Sequence, residues 1–382
     1  ELERCRDADG KLYFYDLGAT RHPSFSVNGL LVHNSSVIKH HNAKTFQSLT
    51  DAFRLTPYKL CATATPAPND WTELGTHAEF LGLCTRAEML AEYFCHDGGE
   101  TQVWRLKGHA RSLFWRWVAS WGAMIRKPSD LGFDDGRYNL PPLQVHQHTV
   151  ESCMESANAA GFLFPMEAGD LSARRDARRQ SIDDRVEVAV KVVFDQWSRE
   201  HGLEAGTPRS AISLSAWVIW CDLNSEQDLL EKHFKHLAFS VRGSMTPEEK
   251  EEAILGWVAG ERPVMISKPS IMGWGINAQH CHNMAFVGVT DSYEAYYQAV
   301  RRCWRFGQTQ PVNVHVIASE SEGSVVANIR RKEAIADAMA QELSAETNAA
   351  VRSELLGAQR ATNPYNNTHS MQVPAWLQTE AA

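Results

Sequence analysis

Val264-Met265-Ile266-Ser267, Asn283-Met284-Ala285-Phe286-Val287-Gly288-Val289 and Val312-Asn313-Val314-His315-Val316-Ile317 are short runs that are apolar almost throughout, and helical spacing occupies residues 293–304 between the last two. Runs this short and this uniformly apolar suit strands covered on both faces. Working outward, residues 247–258 have helical spacing behind a proline at the first helical position, 239–241 read as a strand, 226–236 as a helix and 217–221 as a strand. Strands that alternate with helices in this way predict a parallel sheet with helices on both sides, an α/β fold.

Upstream, residues 59–63 form a short apolar strand ending in small residues, 87–94 read as a helix, and 109–125 as a long amphipathic helix carrying Trp115, Trp117 and Trp121 as core residues. Residues 152–206 are polar and charge-dense. Arg174, Arg175, Arg178 and Arg179 lie there ahead of a helix at 182–199, read as a solvated basic face or, alternatively, a contact for a nucleic-acid backbone. A helix and an Asn/Pro-containing tail follow from about residue 336.

The 382 residues are 43% hydrophobic and 22% charged, enough apolar material for two compact domains and too much for a disordered chain. A net charge of −8 excludes a generally basic nucleic-acid coat, so any nucleic acid must meet a local groove. The eight cysteines contain no C-x-x-C pair, which argues against a zinc ribbon and for reduced, buried thiols in a cytoplasmic protein. No apolar run approaches the roughly 20 residues of a membrane span. The chain opens on Glu1 and enters a strand-like run almost at once, as a piece of a longer protein would.

That opening is a small all-β piece: strands at 11–15, 24–27 and 30–32, with Asn28-Gly29 as a hairpin turn. It ends Val32-His33-Asn34-Ser35. An asparagine amide can attack its own backbone carbonyl, form a succinimide and cut the chain after itself, with a neighbouring histidine as general acid. The following serine can accept an acyl group. A plain strand end and turn is the simpler reading of His-Asn-Ser. Tyr15-Asp16-Leu17, His22, Phe25, Asn28-Gly29, Leu30-Leu31-Val32 and His33-Asn34 together resemble the C-terminal end of an intein. That resemblance implies that Asn34 is scissile, His33 assists it, Asp16 and His22 support the acyl shift and cyclisation, and Ser35 is the acceptor. His22-Pro23 departs from the His-Asn of the family pattern.

Beyond Ser35, Leu60-Cys61-Ala62-Thr63-Ala64-Thr65-Pro66 is a strand ending in hydroxyl residues, so Thr63 and Thr65 lie where doubly wound sheets bind ligands. A turn is the alternative. Gln298-x-x-x-Arg302-x-x-Arg305-x-Gly307-Gln308 sets two arginines three apart on one helical face, suited to a phosphate or to charge on a transferring phosphoryl group. Gly273-Trp274-Gly275-Ile276-Asn277 forms a glycine loop before it.

In order, these pieces resemble a superfamily-two helicase of the Swi/Snf type, almost continuously from residue 35 to about 336. Ser35-Ser36 resemble the end of its Asp-Glu-x-x motif, residues 63–66 with Asn69 and Glu73 its third motif, and residues 298–308 its sixth. The resemblance implies two RecA-like lobes, the first partial, with ATP and Mg²⁺ as cofactors and DNA as partner. It also implies Arg302 and Arg305 in ATP hydrolysis, Gly273, Gly275, Asn277, Gln298 and Gln308 in nucleotide binding, and Thr63 and Thr65 in coupling to DNA. No G-x-x-x-x-G-K-[ST] loop is present, so the phosphate-cradling lysine and the magnesium acids would belong to an upstream half. The implied order is an intein segment (1–34), the back of a first lobe (35–150), a linker and leading helix (151–206), a second lobe (207–335) and a tail (336–382). A helicase-derived scaffold without ATPase activity, or the small half of a split intein with its host segment, would carry the same motifs.

Overall fold

The computed structural model describes residues 24–27, 30–34, 38–56, 59–97, 100–150, 179–201, 214–273, 276–288, 292–320 and 323–355. The strand expected at 11–15 and the arginines at 174, 175 and 178 lie outside them.

In the first part of the chain, β1 (Ser24–Val27) and β2 (Leu30–Asn34) form an antiparallel pair, with Val27 opposite Leu30. The pair is not a separate all-β unit. After α1 (Lys44–Ala52), β3 (Lys59–Ala62) lies parallel to β2, with Asn34 opposite Ala62, so the expected all-β fragment is corrected to a mixed sheet ordered β1-β2-β3. Next come α2 (Leu74–Leu81) and α3 (Arg86–Tyr93), the latter opened by a Thr85/Glu88 capping box. The hairpin of β4 (Phe94–Asp97) and β5 (Glu100–Leu106) and then α4 (Arg111–Ala119) follow. The helix expected to reach 125 stops early: the Ser120 hydroxyl donates to the Trp117 carbonyl, and the Gly122 N–H closes on Val118 O at 2.8 Å.

The second part is a six-stranded, wholly parallel sheet ordered β6-β11-β10-β7-β9-β8. Its edge strand β6 (Leu143–Val150) comes from before the linker, where the sequence suggested no strand; β6 thus carries the chain from first lobe to second. The succession then runs α5 (Ile182–His201), β7 (Trp217–Cys221), α6 (Asn224–Phe234), β8 (Ala238–Ser240), α7 (Pro247–Val258), β9 (Val264–Ser267), α8 (Pro269–Met272), β10 (Asn283–Val287), α9 (Tyr293–Cys303) and β11 (Val312–Ser319). Alternate side chains feed two cores. Val218, Trp220, Met284, Phe286, Val314 and Val316 pack toward α7 and α9; Trp217, Ile219, Ala285, Val287 and Ile317 pack toward α5 and α6.

The chain ends its described part with α10 (Gly323–Leu355), a 33-residue helix. It starts 13 residues ahead of the expected tail, so the expected boundary at 335/336 cuts one continuous helix. Met339 and Leu343 of α10 enter the first lobe's core with Trp115, Phe114, Tyr93 and Phe94. The Trp71 indole N–H donates to the Ile335 carbonyl. Trp115 is fully buried and meets Trp71 edge-on at 5.2 Å, as expected of a core tryptophan. Among the described residues no helix is long and apolar enough to cross a membrane. All six described cysteines are free, and burial pushes the Cys61 thiol up to about 12.

Candidate active site

Arg302 sits in the last turn of α9, an amphipathic helix capped by Ser292, whose hydroxyl accepts the Ala295 N–H, and Arg305 lies two residues past the helix end, so the expected single helical face carries only the first of the two. Tyr293, Tyr296, Ala299, Val300 and Cys303 bury one face. Arg302 and Arg305 are half-buried, and both guanidinium groups donate to one acceptor, the Ile276 carbonyl, at 3.3 and 3.4 Å. Arg302 also donates to the Gln298 carbonyl and to its side-chain oxygen, both at 3.0 Å. Two delocalised cations thus converge on one carbonyl in the segment between β9 and β10. Paired guanidinium groups presented side by side suit the oxygens of a polyphosphate. Arg301, next in sequence, is engaged elsewhere: it stacks on Trp304 and Tyr297 and donates to the Tyr297 hydroxyl.

Several expected nucleotide contacts have other roles in this structure. Gln298 orients Arg302. Gln308 is buried: its amide nitrogen reaches the carbonyls of Gln279, Cys281 and Cys303 at 3.0–3.3 Å, and its oxygen accepts from the N–H groups of Thr309 and Gln310. These bonds tie the turn after α9 to the 279–281 segment. Gly307 before it has φ +95°, and a β-carbon there would meet the Gln279 amide at 2.8 Å. Gly273 ends α8, where a β-carbon would lie 2.2 Å from the Pro269 carbonyl, so the helix turn itself requires the glycine. Asn277 is exposed, and Gly275 lies outside the described residues.

Across a cleft of about 1200 Å³, lined by Thr63, Thr65, Trp121, Tyr297, Arg301 and Glu333, the first lobe faces α9. The Thr63 hydroxyl accepts the Thr65 N–H at 3.1 Å, and buried Thr65 directs its own hydroxyl at Glu294 Oε1, 3.5 Å away. Lys39 pairs with the same carboxylate. Neither Lys39 nor Glu294 was singled out from sequence; a lone acid between Tyr293 and Tyr296 on a buried helix face was the available signal. His33 and Asn34 are the last residues of β2, in register with Cys61 and Ala62, whereas Asp16, His22 and Ser35 lie outside the described residues. Among the described residues no group of three His, Cys, Asp or Glu side chains is placed to hold a metal ion, so the residues present do not form a magnesium site.

Residues 197–307 match the family described as helicase conserved C-terminal domain. The match spans the strands and helices from the end of α5 to the turn after α9 and includes both arginines. A solved structure of the C-terminal part of the Fun30 ATPase domain is similar at 13% identity and a TM-score of 0.33, over 54% of this chain and all of that one. A DEAD box protein from the hyperthermophile Methanococcus jannaschii is similar at 12% identity and a TM-score of 0.32, over 52% of this chain and 40% of that one. No curated protein matches the chain. The family match thus places the likeness to a helicase C-terminal domain in the second lobe.

Proposed function

We propose that this chain is the C-terminal part of an ATP-dependent DNA translocase of Swi/Snf type, joined at its front to the end of an intein. The observation that carries the reading is the convergence of Arg302 and Arg305 on the Ile276 carbonyl, at the C-terminal end of α9. When ATP is bound between the lobes, the nucleotide supplies the polyphosphate. Arg302 and Arg305 exchange a carbonyl for γ-phosphate oxygens and stabilise the charge that develops there, while Gln298 and Gln308 keep the pair aligned. Coupling to DNA would run from Thr63 and Thr65 through α9. The phosphate loop and magnesium acids would come from the upstream half.

The chain alone is expected to show no DNA-stimulated ATPase, because the arginines act only on a nucleotide already held. Turnover by the purified chain would overturn the assignment. In protein joined to the upstream half, Arg305→Ala should lower kcat by roughly 10³-fold; an unchanged kcat would reduce Arg305 to a surface cation. At the other end, supplying the N-terminal intein half should cyclise Asn34 and release a chain beginning at Ser35. Asn34→Ala should abolish that release, as mass spectrometry of the products would read.

A further inference from the structure

The first turn of α9 holds a carboxylate in an unusual place. Glu294 is only 6% exposed, between buried Tyr293 and Tyr296, on a helix whose other charges, Arg301 and Arg302, are half-buried near its far end. An ionised carboxylate gains from the positive end of the helix, yet burying it without a partner is costly. Its partners come from the other lobe, across more than 200 residues of sequence: the Lys39 ammonium and the Thr65 hydroxyl. Lys39 is itself mostly sequestered, its side chain 15% exposed. Burial lowers its pKa; Glu73 opposes that effect and Lys332 of α10 adds to it. Glu73 is committed to the backbone and side-chain amides of Asn69 at 3.1 and 2.8 Å.

We infer that Lys39 and Glu294 form a cross-lobe ion pair that sets the orientation of the arginine helix relative to the first lobe. Glu294 and Arg302 are eight residues apart on one rigid helix, a rise of about 12 Å. A contact fixing the front of α9 therefore fixes where Arg302 stands, and Arg305 is tied to the same Ile276 carbonyl just past the helix end. Lys39 and Glu294 are positioning residues in this scheme. The inference rests on the proposed function only in assigning the arginines to phosphate; the pair itself does not.

A double-mutant cycle on the full chain tests it, using Lys39→Met, Glu294→Gln and the two combined. Hydrogen exchange is read at the amides of Tyr296 and Tyr297, with Trp217–Cys221 as an internal control. Each single change should speed exchange in α9 by roughly 10-fold and leave the control strand unchanged, and the double variant should be no faster than either single, as contacting residues require. Unchanged exchange in the singles, or additive effects in the double, would overturn the pair. Loosening of the control strand would also overturn it, by making these residues general folding determinants. In the joined protein, Glu294→Gln should lower kcat at unchanged KM. A joined protein without any ATPase would instead refute the proposed function and leave the exchange result standing.

Discussion

The two lobes close their cores differently. In the second, every residue of β7, β9 and β10 is buried, and the helices covering the two faces come from the same stretch of chain. In the first, β3 alternates half-buried and exposed residues, with Leu60 45% exposed, and the main core is an aromatic cluster completed by Met339 and Leu343 from beyond the second lobe. Both cores draw on the last described helix, the second through Val325 and Ile329 in its first turns and the first through Met339 and Leu343 further along. Residues far apart in sequence decide whether the aromatic cluster stays dry.

Removing residues 336–382 puts that contrast under the greatest strain. It deletes two core side chains and should cost the first lobe on the order of 5 kcal/mol or more, judged by single large-to-small core changes of about 2–5 kcal/mol each. The second lobe should survive. Tryptophan fluorescence against denaturant would then show a lost or early first transition; a single unshifted transition would mean that α10 is a passenger.

Glu226→Gln probes the other side. The Arg185–Glu226 pair is completely buried at 2.7 Å, and the same carboxylate accepts the N–H groups of Asp222 and Leu223, tying α5 to the start of α6. Breaking a buried pair from one side typically costs about 3–5 kcal/mol. The loss should appear in the second lobe's transition alone.

Acid should separate the lobes more gently. His315 is stacked between His146 and His148, and its Nδ1 lies 2.9 Å from His148 Nε2, an arrangement that requires at least one neutral ring. Burial, then the charges of His146, His148 and Arg199, depress its pKa to about 3. The unfolded chain therefore binds the proton first. The stabilisation is complete above about pH 6.5 and is lost as pH falls toward 3, by about 2 kcal/mol at pH 5. Denaturation midpoints at pH 7.5 and 5 should differ for the second lobe, and His315→Gln should flatten that dependence. Arg111→Ala marks the small end of the scale: its 2.7 Å pair with Glu342 is well exposed, so the first lobe should lose less than about 1 kcal/mol.

The same division governs what could be read beforehand. Pro247–Val258 and Val264–Ser267 have the bounds the residues suggested, because Thr246, Pro247 and Glu249 mark the helix start and the strand is buried on both faces. β6 escaped notice: Gln144, His146, Gln147 and His148 give an edge strand the composition of a loop. α10 escaped in part because nothing in its first turn distinguishes it from the tail. At the site, the helix carrying Arg302 was legible, but its end at Cys303, which leaves Arg305 in the turn beyond, was not. The engagement of Gln308 by three carbonyls and the meeting of Lys39 with Glu294 were not, because they depend on how distant segments fold onto each other.

At 33 residues, α10 is a spar about 50 Å long. One end follows directly from the last strand of the second lobe's sheet, and the middle is seated on α4 of the first. Its first turns bury Val325 and Ile329 in one core and its middle buries Met339 and Leu343 in the other, so a single rigid rod is shared by both halves of the molecule.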